Sequence, residues 1–438
     1  MISTSDLTAR IGPGRVHRSL YTDPEIFALE LERIFGRAWI YVGHESQVPK
    51  PGDFVQTRIG LKPMLMVRQA DGTVRVLHNQ CAHRGAMVVA AECGSASEFR
   101  CCYHGWTYGA DGRLKSAPLL NGYPSAFDPN DPRVSMNEAR SASYRGFVFA
   151  TLGDGAQSLE EFLGPMTKSF DDMVDRAPGG EIEVAGGVFK HAYDGNWKLY
   201  LENLCDAAHP IFVHQSSIEA ARAQSDNVPS DGAGEIAIRQ MRQNGAPYSF
   251  WETQVGIWTY GMGHSYLGDY HDDAKLVAAL EDPEFRDYIA ALEAKHGAAR
   301  TKEILDVRRW NSNVYPNLSF MSQFQQLRIV HPLTPTRTVV YTYNFRLKGA
   351  PPSFFHRTIA FANTVNGTGS LVLTDDLETY GRIRMGLSSA GAEWLQIGRG
   401  YETDEPNDDG GRRGKNSTSE IYIRNMFDAW LGYMTGAP

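Results

Sequence analysis

Across residues 23–39 apolar side chains recur at roughly helical spacing: Ile26, Leu29, Leu31, Ile34 and Phe35, ending near Trp39. Asp23-Pro24 stands ahead of them, a good N-cap followed by a good first helical residue, so a helix is predicted here. From residue 40 to about 152 the period shortens. Residues 64–68, 74–77 and 147–150 read as short strands, with Asp71-Gly72 and Asp111-Gly112 as turns between such runs. After Gly153-Asp154-Gly155 the pattern is mixed. Residues 282–307 and a last segment from Ser417 read as helices, and residues 339–345 alternate as a strand. The last helix has a capping box, Ser417 to Glu420, and an apolar face of Ile423, Phe427, Trp430, Leu431 and Met434. Residues 215–235 are polar and read either as an entrance lid or as an ordinary surface loop. The pattern therefore predicts an all-β segment near the N-terminus within a larger α+β chain.

Composition narrows the class. At 438 residues the chain exceeds a single core, so two domains are expected. With 42% hydrophobic and 21% charged residues it reads as an ordinary globular protein, and a net charge of −8 gives no reason to expect nucleic acid or an anionic membrane as a partner. No run approaches the roughly 20 apolar residues of a membrane span. No signal peptide is evident at Met1-Ile2-Ser3-Thr4-Ser5, so a cytoplasmic protein is expected. The five cysteines do not read as a disulfide framework.

Chemistry enters with Cys81-Ala82-His83 and, after seventeen intervening residues, Cys101-Cys102-Tyr103-His104. Each pair can give one thiolate and one imidazole from a tight loop, the inventory a Rieske [2Fe–2S] centre needs. Gly85, Gly94 and Gly105 suit such turns. Two Cys and two His also suit zinc, but zinc fingers usually place like with like, and the alternating order here counts against that. The C-x2-H spacing selects Cys101 over its neighbour Cys102.

A second cluster lies at residues 196–214: Asn196-Trp197-Lys198, then Glu202-Asn203, then Asp206, His209, Pro210 and His214. Two imidazoles five residues apart can meet at one metal where Pro210 breaks a helix, and a carboxylate would complete the facial triad of non-haem Fe(II) oxygenases.

These motifs together resemble the large (alpha) subunit of Rieske non-haem iron aromatic-ring hydroxylating oxygenases, over nearly the full length. The match rests on C-x-H, seventeen residues, C-x2-H, followed by N-W-K-x3-E-N and D-x2-H-x4-H. The resemblance implies an all-β Rieske domain, residues 39–155, inserted in a catalytic domain formed by residues 1–38 and 156–438, an α+β fold with a central antiparallel sheet (helix-grip, START-like). It implies that Cys81, His83, Cys101 and His104 hold the cluster. His209, His214 and Asp376 would hold a mononuclear Fe(II), Asp376 being chosen over Asp375 after the Gly367-Thr368-Gly369-Ser370 loop. Asp206 would be the acid that bridges a ligand histidine to His104 of the next subunit's cluster. Substrate would lie against Asn203, Leu204, Ala207, Ala208 and Phe212 and the strand at residues 317–328. There Arg328 either grips a substrate carboxylate or forms a structural ion pair.

Two departures stand out. Ala208 occupies a position where many members carry tyrosine, which predicts a wider pocket floor. The interval from Asn203 to Asp206 is one residue shorter than in naphthalene-type members and closer to enzymes acting on aromatic carboxylates. The resemblance thus points to the terminal oxygenase of a multicomponent dioxygenase, NAD(P)H-dependent through a separate ferredoxin or flavin reductase. It would form a homotrimer, alone or with a small beta subunit, and hydroxylate a benzoate-, salicylate- or terephthalate-like acid. Within the family the alternatives are a Rieske monooxygenase (ring hydroxylase or demethylase) and a dioxygenase of an apolar arene. Outside it they are an electron-transfer Rieske protein and a zinc-binding structural protein.

Overall fold

The computed structural model describes residues 2–224, 233–270, 283–389 and 391–436. The chain divides into two compact units, Phe35–Leu159 and Met1–Ile34 with Glu160–Pro438.

The smaller unit is a seven-stranded antiparallel sheet plus a three-stranded one. Its larger sheet runs Ile40–His44, Phe147–Thr151, Glu138–Tyr144, Val74–His78, Lys62–Arg68, Asp53–Ile59, Cys93–Ser95. Every residue of Ile40–His44 and of Phe147–Thr151 is buried, as a strand covered on both faces requires. The small sheet, Glu98–Arg100, Thr107–Gly109 and Leu114–Ser116, presents the second Cys/His loop between its first two strands.

The larger unit is built on a nine-stranded antiparallel sheet. In order it runs Ile182–Tyr193, Arg337–Leu347, Gln326–Thr334, Leu318–Met321, Val307–Val314, His264–Tyr270, Gly256–Tyr260, Arg412–Arg413, Glu405–Pro406. Pro352–Val365 packs on Arg337–Leu347, and Ile421–Thr435 on Gly256–Tyr260. The fold is α+β, and no described helix is long and apolar enough to cross a membrane.

Several predicted boundaries shift. Asp23 caps its helix through Glu25 N at 2.8 Å, but the helix is Pro24–Arg33 and stops short of Trp39. Asp282 lies outside the described residues, and the single helix expected after it is divided into two, Pro283–His296 and Ala298–Leu305, parted by Gly297 at φ 79°. The last helix begins at Ile421 rather than Ser417, and the capping box is not formed. The Ser417 hydroxyl instead donates to the Trp251 carbonyl, and Glu420 accepts from Arg399 N at 2.8 Å. Of the polar segment 215–235, Gln215–Gln224 is a helix, and residues 225–232 lie outside the described part.

Candidate functional site

The two Cys/His loops have the same backbone design. Cys81 N donates to Ala86 O and Gly85 N to Cys81 O, at 2.8 and 2.9 Å; Cys101 N donates to Trp106 O and Gly105 N to Cys101 O, at 2.8 and 3.1 Å. Gly85 and Gly105 sit at φ 75° and 72°, where a side chain would be strained. Both loops close so tightly that each Cys and its His share one turn. Cys81 and Cys101 are buried while Cys102 is exposed. His83 and His104 lie with ring centroids 4.6 Å apart, and Nδ1 of each is buried with no hydrogen-bond partner among the described residues. Two buried thiols and two orphaned imidazole nitrogens fit a [2Fe–2S] cluster bound through sulfur on one iron and nitrogen on the other. Tyr108, which no sequence motif singles out, brings its hydroxyl to 3.2 Å from Cys81 Sγ, and the Trp106 indole stacks on His83 at 5.1 Å. Its only signal in the sequence is an aromatic residue in the strand just after a metal loop.

In the larger unit Lys198–Leu204 ends at Cys205, and a single turn, Pro210–Val213, comes next. His209 and His214 are its two flanking residues, so one short turn fixes both rings. The third residue comes from Leu373–Ser388, whose first turn carries Asp375 and Asp376. Asp376 Oδ1 faces both imidazoles, 3.8 Å from His209 Nε2 and 3.7 Å from His214 Nε2. The ligand atoms of the three residues all lie within 4.8 Å of one another. The opposite ring nitrogens have their own carboxylates: Asp206 Oδ2 is 3.6 Å from His209 Nδ1, and Asp375 Oδ2 is 3.3 Å from His214 Nδ1. Carboxylates behind ligand imidazoles fix their tautomer and orientation. Asp375 thus takes the outer position and Asp376 the inner one.

Burial pushes His214 below its ordinary value, toward the neutral imidazole that ligates metals. Burial likewise raises the Asp376 carboxyl, against the pull of the two imidazoles and Asn203. A buried carboxylate between two imidazole nitrogens is costly to ionise, and a divalent cation among them removes that cost. The residues therefore fit a two-histidine, one-carboxylate iron. Asn203 Nδ2 donates to Asp376 Oδ1 at 3.2 Å and lies 3.2 Å from His209 Nε2, so it orients the ligand set more directly than it could a substrate.

Beside this set opens a cavity of about 760 Å³ counting its mouth, lined by Asn203, Leu204, Ala207 and Arg328 among others. Its apolar wall includes Leu267, Phe361 and the indoles of Trp251 and Trp310, which stack at 6.0 Å. Phe212, predicted on this wall, is not there: its ring is 70% exposed and packs against Tyr248. One turn of helix points it opposite to its flanking histidines. Ala208 is not among the residues that line the cavity; its N–H donates to Asp206 Oδ1 at 2.7 Å.

Arg328 is 4% exposed. Its Nη2 donates to Asn311 Oδ1 at 2.8 Å, and Nε has no partner. Among the described residues no carboxylate stands within ion-pair distance of it, so the structural ion pair weighed from sequence is not formed with any of them. Burial pushes its pKa down, partly offset by Tyr200, Cys205 and Tyr380.

Residues 38–126 match the Rieske [2Fe-2S] domain, and residues 181–435 the ring hydroxylating alpha subunit catalytic domain. Toluate 1,2-dioxygenase subunit alpha of Pseudomonas putida is 33% identical, over 90% of this chain and 84% of its own. Anthranilate 1,2-dioxygenase large subunit of Acinetobacter baylyi is 34% identical, over 90% and 82%. Among solved structures, naphthalene 1,2-dioxygenase from Rhodococcus sp. bound to indole superposes with TM-score 0.79 at 26% identity, covering 100% of this chain and 99% of the other.

Proposed function

Because this chain belongs to the ring-hydroxylating oxygenase alpha subunits, we propose that it is the terminal oxygenase of a multicomponent dioxygenase acting on an aromatic carboxylate. Electrons would come one at a time from a separate ferredoxin or flavin reductase. The assembly would be a trimer of this chain, alone or with a small beta subunit. Bound at their sites, the cluster passes single electrons and the mononuclear iron activates O2.

The chain's own residues do the rest. His83 and His104 would hold one iron of the cluster through Nδ1, which in each otherwise lacks a partner among the described residues. Asp206 orients His209 through Nδ1, and Asp375 orients His214. Asp206 keeps 33% of its side chain exposed, so it remains open to a second donor, the role proposed for His104 of a neighbouring subunit. Trp251, Trp310 and Phe361 offer flat apolar faces to an arene and exclude water.

Arg328 carries the substrate reading. A guanidinium buried without a counter-charge is unfavourable by several kcal/mol. An aromatic carboxylate would supply that charge and accept from Nε and an Nη together. Two of the relatives are named for such acids, toluate and anthranilate. The test is binding to the oxidised holoprotein of benzoate against benzamide, the neutral isostere. The acid should bind at least about tenfold more tightly, and Arg328→Gln should erase the preference, since hydrogen bonds to charged groups contribute about 1.5–3 kcal/mol. Equal binding of acid and amide by the wild type would reject the assignment.

A further inference from the structure

Gln326 stands two residues before Arg328 in the strand Gln326–Thr334. Side chains at that spacing share one face of a strand, about 6.6 Å apart along it. Both residues line the cavity beside His209, His214 and Asp376. Gln326 is 0% exposed, yet neither its Oε1 nor its Nε2 has a hydrogen-bond partner among the described residues. Buried amides are almost always paired, and leaving one unpaired costs stability. Asn344, opposite it in register on Arg337–Leu347, also has an unpaired amide. One amide–amide bond between them would still leave Gln326 with donor and acceptor capacity, because a carboxamide has two of each.

Several other polar residues of the cavity are already engaged, while Asn366 Oδ1, like the Asn344 amide, has no partner among the described residues. Asn311 accepts from Arg328 at 2.8 Å, Gln240 donates to Asn244 at 2.9 Å, and Asn203 donates to Asp376 at 3.2 Å. Among the described residues Gln326 is thus a donor–acceptor group without a partner, on the same strand face as Arg328 Nε, in a cavity that also carries the rings of Trp251, Trp310 and Phe361. We propose that Gln326 recognises a hydroxyl or amino substituent on the ring of the substrate acid, making the pocket selective for hydroxy- or aminobenzoates over benzoate. This rests on the carboxylate reading of Arg328. A hydroxyl or amine matches the carboxamide, since it can donate to Oε1 and accept from Nε2. An apolar ring edge would leave the amide unpaired, which is how a site built to hydrogen-bond a substrate group rejects the analogue lacking it.

Equilibrium binding to the oxidised holoprotein, monitored by calorimetry, tests this without turnover. The panel is benzoate, the three hydroxybenzoates and the three aminobenzoates, with benzamide and salicylamide as neutral counterparts. Wild type should bind at least one hydroxy- or aminobenzoate at least about tenfold more tightly than benzoate. Gln326→Met, similar in length, should bring that ratio close to one while benzoate affinity changes less than about threefold. A wild-type ratio near one, or a ratio that survives in Gln326→Met, overturns the proposal. The wild-type panel decides even if the variant does not fold. The comparison of benzoate with benzamide scores Arg328 separately, and that of salicylamide with benzamide scores Gln326 without a carboxylate, so either assignment can fail alone.

Discussion

Asp206 and Glu202 sit on successive turns of one motif and behave oppositely. Asp206 is held below the ordinary carboxyl value despite burial, because its carboxylate faces His209 Nδ1 at 3.6 Å and accepts from Ala208 N. Replacing it by asparagine keeps the shape and the N–H contact but removes the charge behind the imidazole. Asp206→Asn should retain the cluster while slowing its reoxidation by O2 with substrate about tenfold or more, as measured by stopped-flow absorbance. Unchanged reoxidation would remove Asp206 from the electron route. Glu202 accepts from the Tyr21 hydroxyl at 2.8 Å, and burial pushes its carboxyl up to about 7 from an ordinary 4.5. Between those values the folded chain holds a proton that the unfolded chain has lost. Stability should then fall as pH rises through that window and level off above it. Glu202→Gln mimics the protonated form, so its unfolding midpoint relative to wild type should climb between about pH 5 and about pH 7.5. Calorimetric scans showing a constant difference would contradict the assignment.

At the scale of elements, the Rieske loops show what a sequence can state outright. Each ligand pair lies within one turn, so spacing alone fixed their chemistry, and Gly85 and Gly105 marked the turns. Contacts made across the fold were not legible in this way. Ser417 looked like a cap, but its hydroxyl goes to the Trp251 carbonyl 166 residues away. Phe212 had the right period for the pocket wall, yet a single isolated turn gives no amphipathic pattern from which to read direction. Arg328 was legible as a strand residue, whereas its lack of a counter-charge depends on the neighbouring strands. Gln326 drew no notice because a lone glutamine in a strand is ordinary; only its parity with Arg328 hinted at a shared face. Tyr108 belongs to the same class of missed contacts. Hydrogen bonds to cluster sulfurs help set the reduction potential. Tyr108→Phe, which removes the donor 3.2 Å from Cys81 Sγ, should lower that potential in a spectroelectrochemical titration without loss of the visible spectrum. A potential that does not move would mean that this hydroxyl leaves the cluster untuned.

The whole molecule pairs two metal chemistries with different grips. Under the proposed assignment the two cluster loops would enclose their group, whereas His209, His214 and Asp376 would hold a metal ion beside a cavity open to solvent. A chelator should therefore strip the mononuclear iron and leave the cluster spectrum intact, with one iron lost per chain by metal analysis. Loss of both together, or of neither, would argue against two independent sites.

Oxygenation of an aromatic acid in the cavity beside His209, His214 and Asp376 is the proposed activity. The most direct measurement is a single turnover: reduced holoprotein, the tightest-binding aromatic acid, and ¹⁸O₂, with the product weighed by mass spectrometry. The expected product is a ring-hydroxylated acid carrying label from O2, formed by wild type and not by Asp376→Ala with its cluster intact. Reoxidation of the cluster with no labelled acid from any member of the panel, or labelled product from Asp376→Ala equal to wild type, would contradict it.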